Sequence, residues 1–370
     1  MNDEARRAGD LDSGRDRRPR RRSPWGRRPQ AFARHDSPER DARATYAALD
    51  LGTNNCRLLV ARPTGDGFRV VDAFSRIIRL GEGVSASGRI SDAAIVRAVD
   101  ALAVCRDKMA NRGVTRARLI ATEACRSAEN GAEFRSRIIE DVGLELEIVD
   151  RETEAELAAT GCTPLIDPDA DGVILFDIGG GSSELVRLGR SAPVPRGPPL
   201  PVIEGWASLP VGVVTLAERH GGHHVTREVY EAMVTEVAGH LAPFAAANGC
   251  PAIDRIHLLG TSGTVTTIAG VQLELKRYDR RRVDGCWMSD TQATEVIERL
   301  IAMTFDERAA NPCIGAERAD LVLAGCAILE AIRREYPCRR VRVADRGLRE
   351  GMLVQMMRAD GAWGGEATAP

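Results

Sequence analysis

The sequence is poor in aromatic residues, and it has no long apolar run and no C-x-x-C pair. Aromatic residues make up 4% of its 370 residues and apolar residues 44%, so the folded core must be mainly aliphatic. No apolar stretch approaches the about 18 residues of a membrane helix, and no signal-peptide pattern is present, so we expect neither a membrane span nor secretion. The nine cysteines are odd in number and lie mostly in apolar contexts. We therefore expect reduced thiols and a cytoplasmic location.

Common nucleotide and metal motifs are also missing. The segment 260–264 lacks the G-K-[ST] ending of a Walker-type phosphate loop. The six histidines offer neither zinc-ligand spacing nor a catalytic triad. His220, His223 and His224 cluster at a predicted helix end, and we interpret them as part of a solvated loop. These absences exclude a Walker-type P-loop enzyme and argue against a histidine-based zinc enzyme.

Arginine is abundant near the start of the chain. Residues 1–44 hold thirteen Arg against eight Asp and Glu, in a chain of net charge −2. This segment has no apolar periodicity, so we predict a disordered arm that is dispensable for chemistry. It either attracts polyanions by counterion release or is a solvated leader without a partner. Because it lacks interleaved aromatics, we expect no specific nucleic acid partner. A disordered tail is predicted at 359–370.

In the remaining sequence, predicted strands and predicted helices follow one another, as in a mixed α/β protein. Its length is enough for two domains. Near its start, an apolar run leads to Asp50-Leu51-Gly52, a polar turn and a second apolar run. The same order returns around Asp177-Ile178-Gly179. A repeated strand–turn–strand unit predicts two domains of similar architecture that face one another.

Three turns rich in Gly, Ser and Thr follow apolar strands, at 52–55, 179–183 and 260–264. Glycine lets the backbone approach a ligand closely, and consecutive N–H groups can form a nest for phosphate oxygens. Asp50 and Asp177 precede two of the turns. Each either caps its own turn or joins the other in binding one Mg²⁺ between the domains, with Glu184 as a further ligand.

In this order the motifs resemble the Ppx/GppA family of exopolyphosphatases and guanosine pentaphosphate phosphatases, within the actin-like superfamily. The resemblance is carried, from about residue 46 to 355, by AALDLGTNNCRLLVA, ATEACRSAENG, FDIGGGSSELV, SLPVGVVTLAE, GTSGTVTTIAG, YDRRRVDG, RADLVLAGCAILEAI and VRVADRGLREGML. It implies an α/β fold of two actin-like (ribonuclease H-like) domains, at 45–165 and 166–358, with the active site in the cleft between them. It also implies a Mg²⁺-dependent phosphohydrolase, with Mn²⁺ as an alternative metal.

The resemblance assigns the catalytic acid to one glutamate. The family's catalytic segment falls on RETEAEL, and its general base falls on Glu154. The segment departs from the family pattern at Arg151 and Thr153, so Glu152 is the alternative.

The resemblance also implies two sets of binding residues. The expected metal ligands are Asp50, Asp177 and Glu184. The expected phosphate-binding residues are Gly52, Thr53, Asn54, Arg57, Arg126, Gly179, Gly180, Gly181, Ser182, Ser183, Gly260, Thr261, Ser262 and Gly263.

The expected substrates are inorganic polyphosphate and, close behind it, guanosine pentaphosphate. A loop with Arg277 and Arg280–Arg282 either contacts the distal substrate or is a solvated face. Asp284 stands where the family often has His, so specificity at this loop stays open. Because the chain ends after GLREGMLVQMM, without the extra helical domain of the family's longer members, we expect a short channel that favours short or medium polyphosphates, or guanosine pentaphosphate, over very long chains. The alternatives are a kinase or ATPase on the same fold and a non-catalytic protein that binds polyanions or RNA. A homodimer is one option for the assembly.

Overall fold

The computed structural model describes residues 44–190, 194, 196–249 and 255–364. Apart from Ala44, the predicted arm lies outside the described residues, and so do residues 365–370 of the predicted tail. Residues 360–364 pack on the fold, since Trp363 is buried and its Nε1 donates to the carbonyls of Thr64 and Gly67, at 3.0 Å each. Within the described part of the chain, no helix is long and apolar enough to cross a bilayer.

The first of two sheets is formed by residues 46–148. Its five strands have the order β3-β2-β1-β4-β5, with β1 antiparallel to β2 and parallel to β4. The strands are β1 Tyr46–Leu51, β2 Asn55–Pro63, β3 Phe68–Ile77, β4 Arg116–Ala121 and β5 Glu147–Ile148. The helices of this part are α1 Val84–Ser87, α2 Asp92–Asn111, α3 Glu123–Ser127, α4 Gly131–Val142 and α5 Arg151–Cys162.

The second sheet is formed by residues 172–343 and has the strand order β10-β11-β9-β6-β7-β8. The strands are β6 Gly172–Ile178, β7 Ser183–Leu188, β8 Ile203–Leu209, β9 Ile256–Thr261, β10 Trp287–Ser289 and β11 Arg340–Val343. The helices are α6 Val213–His220, α7 Arg227–Asn248, α8 Gly263–Gln272, α9 Arg280–Val283, α10 Asp290–Ala302, α11 Phe305–Ala310, α12 Val322–Glu335 and α13 Leu348–Ala359. The segment predicted to be an arginine-rich loop therefore contains one helical turn, α9.

The central hairpins of the two sheets are built alike, in agreement with the repeated sequence pattern. In β1 and in β6, four buried residues precede a half-buried aspartate, Asp50 or Asp177, and a buried apolar residue follows it. Each strand has an antiparallel neighbour on one side and a parallel one on the other. In register, Asp50 lies opposite Arg57, and Asp177 lies opposite Glu184. The two aspartates thus occupy equivalent positions near the carboxyl ends of their strands.

Helices α5 and α13 pack between the two sheets. Side chains alternate along β1, so Ala47 and Leu49 face α2 while Tyr46 and Ala48 face α13. Helix α5 packs on α13 and also on β7 and β8 of the second sheet. The last helix therefore packs on the first sheet, whereas α5 reaches the second. The domain boundaries given above stay predictions.

Helices α5 and α13 approach so closely that glycine is required at their contact. A Cβ added to Gly161 would lie 2.7 Å from the carbonyl carbon of Gly347. A Cβ added to Gly351 would lie 2.8 Å from the carbonyl carbon of Leu157. Both neighbours are backbone atoms, which cannot rotate away as a side chain could.

We expect Gly351→Ala to destabilise the protein. Overpacking of a tight contact costs about 1–3 kcal/mol, which outweighs the gain of up to about 1 kcal/mol from helix propensity. Thermal unfolding followed by circular dichroism should show a lower Tm. Gly239→Ala is the matched control, because Gly239 is an exposed helical glycine with no atom within 4 Å of an added Cβ. A Tm for Gly351→Ala as high as that of the control would contradict the tight contact.

Candidate active site

The glycine-rich turns of both sheets meet at one cleft, together with the first turns of α5, α8 and α13. Most residues predicted for the site line this cleft: Asp50, Gly52, Thr53, Asn54, Arg57, Glu154, Asp177, Gly179, Gly180, Gly181, Ser182, Glu184, Thr261, Ser262 and Gly263. The predicted residues that do not line it are Arg126, Ser183 and Gly260.

Ser183 and Gly260 support the turns instead of facing the cleft. Ser183 is fully buried, and its Oγ donates to the carbonyl of Val211 at 2.7 Å. A Cβ added to Gly260 would lie 2.5 Å from Cζ of Phe176, so this strand end is packed against the core. The structure therefore does not place these two residues where they were predicted to act, because their surroundings are set by core packing.

The first two turns touch one another at the base of the cleft. A Cβ added to Gly180 would lie 2.8 Å from Cβ of Thr53, and one added to Gly181 would lie 3.0 Å from Cγ of Glu123. Glycine at position 180 therefore lets the two turns approach, and position 181 is tightly packed against α3. The side-chain Oδ1 atoms of Asn54 and Asn55 are buried beside this contact without a hydrogen-bond partner. They are free acceptors at the site.

Glu154 lies in the first turn of α5, which begins after the N-cap Asp150. Its carboxylate is largely buried in the cleft wall, and its Oε2 accepts from Nη2 of Arg126 at 3.2 Å. Burial, followed by repulsion from Glu184, raises the pKa of Glu154 well above its ordinary value, against the opposing charge of Arg126. Glu152 is exposed and does not line the cleft. The geometry therefore favours Glu154 over Glu152 as the reactive acid.

Three further carboxylates, those of Asp50, Asp177 and Glu184, line the same cleft. Burial, followed by repulsion from Asp50, raises the pKa of Asp177 to about 6. Burial, followed by repulsion from Asp177, raises the pKa of Glu184 to about 7, although Ser182 and Ser208 donate to its Oε1 at 2.7 and 2.9 Å. Burial also raises the pKa of Asp50. Such crowded negative charge requires protons or a cation to offset it.

The donor chemistry fits a hard divalent cation such as Mg²⁺. Carboxylates repel one another here, and the Oδ1 atoms of Asn54 and Asn55 are oxygen acceptors without partners. Within the described residues, no three His, Cys, Asp or Glu side chains form a ready cage. A cation would thus be held by Asp50 and Asp177, with water and substrate oxygens completing its shell. That is the way in which Mg²⁺ is usually bound beside phosphates.

The cleft also contains three arginines that lack partners. Among the described residues, none forms a hydrogen bond or an ion pair with the guanidinium groups of Arg57, Arg318 and Arg349, which all line the cleft. A Cβ added to Gly263 would lie 3.5 Å from Nη2 of Arg57 and 3.7 Å from Nη1 of Arg318. Burial lowers the pKa of Arg318 and of Arg349. Unpaired, partly buried cations in the cleft, two of them beside the start of α8, favour a bound anion.

Arg57 was among the residues predicted for phosphate binding, whereas Arg318 and Arg349 were not. Both lie within segments that carry the family resemblance, RADLVLAGCAILEAI and VRVADRGLREGML, yet an arginine at a helix start has no distinctive local signal. Their convergence depends on tertiary packing alone.

In the arginine-rich segment before β10, Arg280 and Asp284 are bound to the protein itself. Arg280 donates to the Asp345 carbonyl at 2.6 Å and to Glu350 Oε1 at 2.8 Å. Asp284 pairs with Arg346 and accepts from the Asp345 N–H at 3.0 Å. The exposed arginines of the segment, at 277, 281 and 282, do not line the cleft. Asp284 therefore braces the loop that leads to α13.

Comparisons with known proteins agree with this geometry. The sequence profile of the Ppx/GppA phosphatase family matches residues 59–360. Exopolyphosphatase 2 from Mycobacterium tuberculosis is 31% identical over 301 residues, which cover 78% of this chain and 90% of that protein. The crystal structure of the Aquifex aeolicus Ppx/GppA family member superposes with a TM-score of 0.70 at 26% identity, covering 86% of this chain and 98% of that one.

A third likeness concerns the fold alone. An exopolyphosphatase from Cytophaga hutchinsonii superposes with a TM-score of 0.76 at 24% identity, covering 85% of this chain and 98% of that one. These structures have the two-domain actin-like fold, so the predicted fold class is confirmed.

Proposed function

The chain belongs to the Ppx/GppA phosphatase family, and from that premise we propose that it releases the terminal phosphate of inorganic polyphosphate by attack of water. One observation carries the proposal: the buried acid Glu154 shares a cleft with three unpaired guanidinium groups. A polyphosphate end presents repeated negative charge and no base, so unpaired arginines can bind it without a nucleoside pocket. Phosphate release from short polyphosphate, guanosine pentaphosphate and ATP tests the proposal against an ATPase or a mere polyanion binder.

In the proposed reaction, the protein contributes position and charge. Arg57, Arg318, Arg349 and the turn N–H groups would neutralise the oxygens of the terminal phosphoryl group. Glu154 would accept a proton from the attacking water, and its raised pKa makes its carboxylate a stronger base than an ordinary one. The water oxygen bonds to phosphorus, and the terminal phosphoanhydride bond breaks with its electron pair passing to the oxygen of the shortened polyphosphate. Orthophosphate is the second product.

We further propose Mg²⁺ as the cofactor, with Mn²⁺ as a substitute, held by Asp50 and Asp177 with Glu184 nearby. When bound, it would supply positive charge to the phosphate oxygens. The hydroxyls of Ser182 and Ser208 donate to Glu184 Oε1 and so hold its carboxylate in one orientation, in which it would add negative charge to the cation site. We place the reaction in the cytoplasm, because the eight described cysteines are free.

Guanosine pentaphosphate is the second candidate substrate. Asp345 lines the cleft, and its Oδ2 accepts from the hydroxyl of Tyr278 at 2.7 Å. The Tyr278 side chain is 39% exposed, so its ring offers a stacking surface for a base at the rim.

Tyr278→Ala distinguishes the two substrates. It should lower kcat/KM for guanosine pentaphosphate by about 5- to 150-fold, the range of one lost base–aromatic stack. The value for a short polyphosphate should not change. Tyr278→Phe is the control, since it keeps the ring and removes only the hydroxyl, which donates to Asp345. Equal losses with both substrates would contradict base stacking by this residue.

A further inference from the structure

Three charged side chains form a continuous network along the cleft wall, from α3 to α5. Glu123 begins α3 and lines the cleft, and its Oε2 accepts from Arg126 at 3.1 Å from Nε and 2.6 Å from Nη2. The same Nη2 donates to Oε2 of Glu154 at 3.2 Å. Arg126 thus bridges two carboxylates.

The hydrogen-bond donors of Arg126 are almost fully used by these contacts. A guanidinium group has five N–H bonds. Nε donates to Glu123, Nη2 donates to both Glu123 and Glu154, and Nη1 donates to the Val149 carbonyl at 2.6 Å. Arg126 does not line the cleft. Its contacts therefore favour a role in orienting Glu154 over a role in binding substrate.

Glu123 is itself held in place. Its carboxylate accepts from Arg151 Nη2 at 3.0 and 3.2 Å and from the hydroxyl of Ser127. Burial alone would raise the pKa of Glu123, but hydrogen bonds from Ser127 and Arg126 together lower it. Glu123 therefore stays ionised and keeps a charge-assisted bond to Arg126.

We propose that Glu123 is a positioning residue for the reaction: it fixes Arg126, and Arg126 in turn holds the Glu154 carboxylate in one orientation towards the attacking water. A base oriented by a second and a third group is a recurrent arrangement in hydrolases. The inference rests on the proposed function, because it assigns Glu154 as the base. It also gives Arg126 a role different from the phosphate contact that the family resemblance implies.

A double-mutant cycle in the full-length chain tests this role, with kcat and KM measured on a short polyphosphate. Glu123→Ala should lower kcat by roughly 10- to 100-fold, since a base displaced by about 1 Å can cost 10²-fold. KM should stay unchanged, because Arg57, Arg318 and Arg349 still bind the phosphates. Glu123→Gln should recover part of kcat, since its amide oxygen can accept from Arg126. In the Arg126→Ala background, Glu123→Ala should have no further effect.

The controls separate positioning from folding and from the proposed function. Glu147→Gln is matched, because Glu147 forms a two-point ion pair with Arg118 outside the cleft, at 3.0 Å for each bond. It should leave kcat unchanged. If Glu123→Ala does not fold, the double-mutant cycle is measured with Glu123→Gln and Arg126→Ala instead. Wild-type turnover that is lost in Glu154→Gln establishes the base independently. With that established, a raised KM at constant kcat, or effects that multiply in the double variant, would overturn the positioning role alone.

Discussion

Glu154→Gln should lower kcat for phosphate release by about 10²- to 10⁴-fold, the usual contribution of a positioned general base. Glutamine has nearly the same shape as glutamate and can still accept the 3.2 Å bond from Arg126. It cannot accept a proton from water. Substrate binding should be little changed, because the unpaired arginines of the cleft remain. Steady-state phosphate release at saturating Mg²⁺, with KM measured in parallel, gives the answer.

The neighbouring glutamate of the same helix provides the comparison. Glu152→Gln removes an exposed carboxylate two residues away and should leave kcat unchanged. Should Glu152→Gln be inactive while Glu154→Gln keeps full activity, the register of the catalytic segment would be shifted by two residues. Should both variants keep activity, the general base lies elsewhere.

The hairpins of the two sheets could be predicted from the sequence because their pattern is local. An apolar strand, an aspartate, a glycine and a second strand follow one another within about a dozen residues, a spacing that fixes a strand–turn–strand unit. Its repetition around Asp50 and Asp177 predicts that both carboxylates end equivalent strands, as the structure shows. The hairpin turn at 179–181 lines the cleft for this reason, whereas residues 261–263 line it at the junction of β9 with α8.

The parts that could not be predicted depend on contacts between distant segments. Arg318 and Arg349 have no local motif, and only the packing of α12 and α13 brings them to Arg57. In the sequence, Glu123 is indistinguishable from any acidic residue in the first turn of a helix. Its role depends on the contact of Arg126 with Glu154, two residues that are 28 positions apart. Arg280 could equally contact substrate or protein, and its partner Glu350 lies far along the chain.

Ser183 belongs to a turn that was correctly predicted, but its side chain does not face the cleft. It belongs to a turn whose other members line the cleft, so its hydroxyl was assigned to phosphate binding. The side-chain alternation of β7 directs it instead to the Val211 carbonyl in the core. A turn motif thus predicts where the backbone approaches a ligand better than it predicts which hydroxyls face it.

Asp177→Asn should have opposite effects on activity and on metal-free stability. With one anionic ligand removed, the Mg²⁺ concentration needed for half-maximal phosphate release should rise steeply. In excess chelator, however, Asp177→Asn should raise Tm. A buried aspartate whose pKa is raised to about 6 destabilises the fold as pH increases from its unfolded pKa through that value, and repulsion from Asp50 contributes to this cost.

The measurement combines metal titrations of activity with thermal unfolding at pH 7 in chelator. Wild-type activity should vanish in excess chelator and return with Mg²⁺ or Mn²⁺. Asp171→Asn is the matched control, since Asp171 is an aspartate outside the cleft that pairs with Arg190 and Arg255. It should leave the metal requirement unchanged. Full activity in excess chelator would refute a divalent cofactor. An Asp177→Asn variant with a wild-type metal requirement would remove Asp177 from the ligand set, because a carboxylate that binds the cation cannot be neutralised without weakening it.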